Sequence, residues 1–207
     1  MKVTLIGSGN MGSGLAKHIA NAGHPLVITG RDAAKARVLA QANRASFKAT
    51  NAADGADVVI VATAYADAVT ALREAGDLSG KVVIDITNPL TADYMGLTIG
   101  HSTSAAEEIQ KAFPKAKVLK AFNTVFAQSL AAGPSLAGET VPVYFAGDDA
   151  VAKETVKALI QSTGFAAVDA GGLKNARYLE PLAGLNIYFG YGAGKGTAIA
   201  PKWIGMQ

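Results

Sequence analysis

Side chains that could do chemistry by themselves are scarce in this sequence. It has no cysteine, which excludes disulfides, thiolate nucleophiles and most structural zinc sites. Its three histidines stand far apart, with no metal-ligand spacing. His18 is expected as a solvated helix residue, His24 in a turn, and His101 in a loop. Asp85 and Asp169 fall in or beside apolar runs, where structural hydrogen bonding is expected rather than acid–base work. The chemistry lies instead in backbone. Gly7-Ser8-Gly9-Asn10-Met11-Gly12 follows the apolar run Val3-Thr4-Leu5-Ile6 and leads into a helical stretch, Ser13 to Asn21. This is GxGxxG between a strand and the helix that it opens, the setting in which the spacing binds a dinucleotide. Gly7 allows the tight turn, Gly9 lets backbone approach a pyrophosphate, and Gly12 lets helix and strand come close. Phosphates would meet free N–H groups at the positive end of the helix dipole, worth about 0.3–1 kcal/mol per charge.

The end of the second strand decides which dinucleotide fits. NAD sites usually place a carboxylate there to hold the ribose 2′-hydroxyl. Leu26-Val27-Ile28-Thr29 is that strand, and it ends in Thr29-Gly30-Arg31, with Asp32 next and Lys35 one helical turn on. Arg31, with a planar bidentate grip, and Lys35 are expected to clamp a 2′-phosphate. Asp32 reads as the N-cap of a helix from Ala33 to Gln41. The expected cofactor is therefore NADP(H) rather than NAD.

These residues need a scaffold, and composition allows one. The 207 residues are 50% apolar and 17% charged, with a net charge of +3. That supports one domain with a full core and no disorder. The basic residues are scattered, so no nucleic-acid partner is expected. Four apolar residues before Gly7 are too few for a signal-peptide core, and the longest apolar run, Val58 to Ala66, is about half a membrane span. A soluble cytoplasmic protein with no membrane partner is the expectation.

Along the chain, strands and helices alternate. After Gly23 stops the first helix and the second unit ends, Ala45 to Ala49 reads as a weak strand and Asn51 to Ala56 as a helical turn. Val58 to Ala62 is an unbroken apolar strand, as in a sheet buried on both faces. Ala66 to Ala75 is a helix, Val82 to Ile86 a strand, and Ser104-Ala105-Ala106-Glu107 a capping box for a helix to Ala112. Strands follow at Lys117 to Phe122, Pro142 to Ala146 and Ala166 to Asp169, with a helix from about Ala150 to Ser162. A final helix, Leu173 to Tyr188, is expected to be interrupted by Pro181 and Gly184. The pattern predicts an α/β fold with a doubly wound, mostly parallel sheet. That is an NAD(P)-binding Rossmann domain over residues 1–170, with a C-terminal helical extension over 171–207. Its ligand edge would carry Gly7 to Gly12, Thr29 to Arg31, Thr63 to Tyr65, Asn88-Pro89 and Asn123 to Phe126. Tyr191-Gly192-Ala193-Gly194-Lys195 has the Tyr-x-x-x-Lys spacing of short-chain dehydrogenases, but its glycines argue for a loop.

Several separated stretches together resemble one known family. They are Gly7 to Gly12, Thr29-Gly30-Arg31, Asp85-Ile86-Thr87-Asn88-Pro89, Lys120-Ala121-Phe122-Asn123, Pro142-Val143 with Gly147-Asp148, and Val168-Asp169-Ala170-Gly171. Over nearly its whole length the chain resembles the deazaflavin (coenzyme F-420) dependent NADP reductases and the oxidoreductase domain of six-transmembrane metalloreductases. The resemblance implies that Arg31 and Lys35 receive the 2′-phosphate. It also implies that Thr63-Ala64 and Asn123 to Phe126 flank the nicotinamide and a flavin-type ring. Three departures stand out: Gly30 and Asp32 replace a common Ser and a basic residue, a Pro is missing around Ala64-Tyr65, and Asn123 replaces the His of the deazaflavin reductases. The last leaves FMN or FAD open as acceptor beside coenzyme F-420.

The expected function is thus NADPH-dependent hydride transfer to a small-molecule flavin or deazaflavin. Such a step needs two stacked rings about 3–3.5 Å apart in a dry slot rather than a strong side-chain acid, so no catalytic side chain is expected. The cofactor is expected on Gly7, Ser8, Gly9, Asn10, Met11, Gly12, Thr29, Gly30, Arg31, Lys35, Ala62, Thr63, Ala64, Asn88, Pro89, Asn123 and Thr124. The acceptor is expected against Val125, Phe126 and Tyr191. A β-hydroxyacid or imine type of reductase and a non-catalytic NADP-binding redox sensor are the alternatives. Leu179, Leu182, Leu185, Ile187 and Phe189 exceed what one exposed helix face can use, so a homodimer is expected.

Overall fold

The computed structural model describes residues 1–205. The first half is a run of strand–helix units: β1 (Val3–Ile6), α1 (Asn10–Asn21), β2 (Leu26–Thr29), α2 (Ala33–Ala42), β3 (Ser46–Phe47), β4 (Val58–Val61), α3 (Tyr65–Glu74) and β5 (Val82–Asp85). Then come α4 (Ala105–Ala112), β6 (Lys117–Ala121), α5 (Ala127–Ala132), a hairpin of β7 (Ser135–Leu136) and β8 (Glu139–Thr140), β9 (Pro142–Gly147), α6 (Ala150–Ser162), β10 (Ala166–Asp169) and α7 (Ala176–Ile187). The eight strands of the main sheet lie in the order β10-β9-β6-β5-β4-β1-β2-β3. β1 pairs in parallel with both β2 and β4, so the chain winds one way from β1 and then the other. The crevice above that reversal is where open α/β sheets hold ligands.

Alternate residues of the central strands feed two cores. Val3, Leu5, Val58 and Ile60 meet α1, α2 and α6 through Leu15, Ile19, Ala36, Val156 and Leu159. Ile6, Val59, Val61 and Val83 meet α3 and α4 through Ala68, Leu72, Ala106 and Ile109. The caps that the sequence announces are present. Asp32 accepts from the Lys35 amide at 3.0 Å, and Ser104 accepts from the Glu107 amide at 3.2 Å while donating to its carboxylate at 2.7 Å.

Five features differ from the sequence reading. β9 runs antiparallel to β6, and β10 follows β9. The link from β6 contains only a six-residue helix and the hairpin, which turns at Ala137 and Gly138, both with positive φ. It never crosses the sheet, so the chain re-enters from the edge at which β6 ended. Next, α7 passes through Pro181 and Gly184 without a break, preceded by a 3-10 turn at Leu173–Asn175 and continued by a π-helical turn at Tyr188–Gly192. Proline removes a single bond there, and the helix is held by buried Leu179, Glu180, Ala183 and Asn186. The turn at residues 51–56 is not helical, and the third strand shrinks to Ser46–Phe47. Finally, His18 is not a solvated residue: its Nε2 lies 2.6 Å from the Leu130 carbonyl and its ring meets Phe165 edge-on.

Candidate functional site: the cleft over the sheet reversal

The glycine loop has the geometry its spacing implies. Gly7 has φ +121°, and a Cβ there would lie 2.3 Å from the Ala62 carbonyl oxygen. A Cβ on Gly12 would lie 2.2 Å from the Gly7 carbonyl oxygen, so both positions admit only glycine without a backbone shift. Gly9 is different: a Cβ there would meet no protein atom within 4 Å. Its position is open on the side from which a phosphate would approach. α1 has no side-chain cap and no acidic residue in its first turn, and its first internal bond runs from the Ser13 amide to the Gly9 carbonyl at 2.8 Å. The amides before Ser13 therefore point out of the helix end, at its positive pole. This loop fits a pyrophosphate.

Gly30 adjoins the loop, with its Cβ direction 3.7 Å from Ser8 Oγ, and the Thr29 carbonyl receives the Gly7 amide at 2.8 Å. Arg31 and Lys35 follow at the rim. The Arg31 side chain is 90% exposed and pairs with Asp67 of α3 at 3.4 Å, while Lys35 pairs with Asp32 at 3.5 Å. Asp32 is engaged by the Lys35 amide, which holds its carboxyl below the usual carboxylate range. It is a helix cap, and the Arg31 guanidinium and Lys35 ammonium stand at the rim in long, exposed pairs with Asp67 and Asp32 that an anion would compete for.

From Gly9 a cleft of about 1160 Å³ extends across the reversal point. It brings together Gly9, Asn10, Met11, Ala62, Thr63, Ala64, Asn88, Asn123, Thr124, Val125, Phe126 and Tyr191. Gly7, Ser8, Gly12, Thr29, Gly30, Arg31, Lys35 and Pro89 lie outside its lining. All but Pro89 belong to the loop or to the neighbouring rim. Pro89 is buried, and its carbonyl accepts from the Thr98 amide at 2.7 Å and the Thr98 hydroxyl at 3.1 Å, so it anchors a loop. His101 is exposed and does not reach the cleft.

The cleft's floor at Asn88, Asn123 and Thr124 is polar but uncharged, and the one carboxylate of the lining, Asp93, is held in the loop beside Tyr94, where it accepts from the Thr91 hydroxyl and the Met95 amide. Asn88 and Asn123 hold each other: Asn123 Nδ2 donates to Asn88 Oδ1 at 2.9 Å and to the Leu179 carbonyl at 2.9 Å, and Asn88 Nδ2 donates to the Asn123 carbonyl at 2.9 Å. Around them the buried Thr87 Oγ1, Asn123 Oδ1 and Thr124 Oγ1 have no hydrogen-bond partner in the protein. Orphaned polar atoms are costly in an interior, at about 1–3 kcal/mol each, and these three belong to residues that line the cleft while the atoms themselves lie beneath its surface. Burial, and behind it the carboxylates of Glu108, Glu180 and Asp85, push the Tyr65 hydroxyl above its ordinary pKa, so it stays neutral.

The walls are apolar. Phe126 and Tyr191 pack edge to face with centroids 5.7 Å apart, and the Gln128 amide donates to the Tyr191 hydroxyl at 3.1 Å. Opposite stand Tyr94 and Met95, both exposed. No periodicity marks that loop or Gln128 as lining, and Ala183, Asn186 and Ile187 of the expected last helix also line the cleft. Asn186 could have been noticed as a polar residue in register with Leu179 and Ala183 on an otherwise apolar face.

Comparison with known proteins agrees with this geometry. Residues 2–89 match the family model described as NADP oxidoreductase coenzyme F420-dependent. The F420-dependent NADP reductase of Methanothermobacter marburgensis is 33% identical over 210 residues, covering 90% of this chain and 91% of that protein. The chain belongs to the F420-dependent NADP oxidoreductase family. A crystal structure of a putative F420-dependent NADP-reductase from Arthrobacter sp. FB24 superposes with a TM-score of 0.88 at 32% identity, covering 98% of this chain and 99% of that one. The metalloreductase STEAP3 of Rattus norvegicus is 30% identical over 182 residues, covering 87% of this chain but 36% of that protein. The present chain therefore corresponds to about a third of that relative. Among the described residues, no helix is long and apolar enough to cross a membrane.

Proposed function

We propose that the protein is an NADPH-dependent reductase of a flavin or deazaflavin acceptor. The observation that carries this is the cleft itself. It exceeds the roughly 300–1,000 Å³ of a single small-ligand pocket, opens from a pyrophosphate loop, and pairs an uncharged polar floor with aromatic walls. Bound there, NADPH supplies a hydride, which with one proton from solvent completes a two-electron reduction of the acceptor ring and leaves NADP⁺.

The chain's own residues then bind and orient. Gly9, Asn10 and Met11 receive the pyrophosphate, and Arg31 and Lys35 the 2′-phosphate. Thr87, Asn123 and Thr124 form the floor under the carboxamide end of the cofactor. Thr63 and Ala64 bound the ring on one side, while Val125, Phe126 and Tyr191 form the acceptor's wall and exclude water. No acid or base is required, in keeping with an uncharged cleft floor. The exposed side chains Leu185, Tyr188, Phe189 and Tyr191, with Tyr94 and Met95 opposite, exceed what a free surface normally shows and support a homodimer closed over this mouth.

The reading is tested by mixing purified protein and NADPH with FMN, FAD or coenzyme F420 and following the nicotinamide absorbance. Oxidation with at least one of the three is expected. Tight NADPH binding without oxidation by any of them would favour the redox-sensor alternative. A monomer at micromolar concentration in light scattering would refute the dimer.

A further inference from the structure

Beneath the cleft lies an ionic cluster whose placement stability alone does not explain. Lys120 of β6 is fully buried, and its ammonium meets Asp85 Oδ2 at 2.6 Å, Glu180 Oε1 at 2.7 Å and the Thr87 carbonyl at 2.7 Å. An ammonium has three donors, so all are used. Asp85 also accepts from the Thr87 amide at 2.8 Å, and Glu180 from the amides of Ala105 at 3.0 Å and Ala106 at 3.4 Å at the start of α4. Two carboxylates thus share one ammonium, and an apolar set of similar volume is often no worse for stability.

What the cluster does is join the two sides of the cleft. Thr87 is gripped at both its amide and its carbonyl, which fixes the loop carrying Asn88. Glu180 sits on α7, whose next turns bring Ala183, Asn186 and Ile187 to the opposite side. Asn123 spans the same gap, bonded to Asn88 on one side and to the Leu179 carbonyl on the other. The adenosine end, at Arg31 and the glycine loop, touches none of these groups.

We propose that Lys120 is a positioning residue: by holding the Thr87 carbonyl and Glu180 together it sets the separation between the β5 loop and α7, and so the seat of the nicotinamide ring. The inference rests on the reading that this cleft takes NADPH, and it assigns to a residue outside the cleft control over how tightly the reactive ring is held. Loosening the clamp should leave the cofactor anchored by its phosphates and free its ring.

The test is an equilibrium titration with NADPH, following the intensity and anisotropy of dihydronicotinamide emission, on wild type, Lys120→Met, Glu180→Gln and Leu159→Ala. Leu159 is buried on α6 in the other core and serves as a control for general destabilisation. For both cluster variants Kd is expected within about threefold of wild type, while the anisotropy of the bound ring falls. Leu159→Ala should keep the wild-type anisotropy. Should Lys120→Met fail to fold, Glu180→Gln, which retains a carbonyl acceptor for Lys120, carries the test. Unchanged anisotropy in a folded cluster variant, or an equal fall in Leu159→Ala, overturns the proposal while leaving the cofactor reading intact. No NADPH binding by the wild-type protein overturns the cofactor reading and this inference with it.

Discussion

Gly9 and Gly12 are chemically identical, yet the structure assigns them separable jobs, and alanine at each tells them apart. At Gly9 an added methyl meets no protein atom within 4 Å, and φ −80° with ψ −170° suits alanine. Replacing a glycine N-cap by alanine should cost about 1 kcal/mol or less. For a domain of this size that lowers Tm by about 2–4 °C. The same methyl fills the space in which the pyrophosphate would meet the amides of the loop. Losing even one charge-assisted hydrogen bond, at about 1.5–3 kcal/mol, weakens NADPH binding by roughly 10- to 100-fold. At Gly12 the methyl would lie 2.2 Å from the Gly7 carbonyl oxygen, a clash between two backbone segments. Overpacking of that kind costs about 1–3 kcal/mol or more and should lower Tm further than Gly9→Ala does. Differential scanning calorimetry and NADPH titration of both variants give the answer. Gly9→Ala should be nearly as stable as wild type and poor at binding, whereas Gly12→Ala should be clearly less stable. A Gly9→Ala protein that binds NADPH normally would refute the placement of the pyrophosphate.

Two further predictions concern acid and charge. Arg177 holds Glu107 in a bidentate pair, Nε to Oε2 at 2.9 Å and Nη2 to Oε1 at 2.7 Å, and keeps its carboxyl below the usual range. A depressed folded value means that the pair's contribution is present above the ordinary glutamate pKa and fades as pH falls through the folded one. Arg177→Ala should lower stability in urea unfolding at neutral pH, and the difference from wild type should shrink on acidification; a constant difference counts against the pair. Glu180 has the opposite sign, because burial pushes its carboxyl up despite Lys120. Its contribution is greatest below the ordinary value and is lost as pH rises through the folded one, so Glu180→Gln should gain on wild type as pH rises. Parallel stability–pH curves would contradict that.

Much of the fold was legible because its signals are local. The glycine spacing, the Asp32 cap and the Ser104–Glu107 capping box each depend on a few adjacent residues, and each is present. What was missed depends on partners distant in sequence. β9 is buried along its whole length, and an unbroken apolar strand looks the same in either direction. α5 has six residues and no side-chain cap, too little for a period to show, and without it His18 had no visible partner in Leu130. Pro181 argued for a break because its solvent-facing position on α7 could not be read. Lys120 looked like an ordinary strand residue; only the fold brings Asp85, 35 positions earlier, and Glu180 against it. The candidate cofactor loop was therefore readable, as were Phe126 and Tyr191 of the mouth, whereas Tyr94, Met95 and the ionic cluster beneath the cleft were not.

The central claim is that the glycine loop and the cationic rim together take NADP(H). Isothermal titration of the wild-type protein and of Arg31→Ala with NADPH and with NADH tests it most directly. The account predicts that wild type binds NADPH at least about tenfold more tightly than NADH, and that Arg31→Ala loses most of that preference while its affinity for NADH is unchanged. Equal affinity of the wild type for the two coenzymes, or binding of neither, would contradict it.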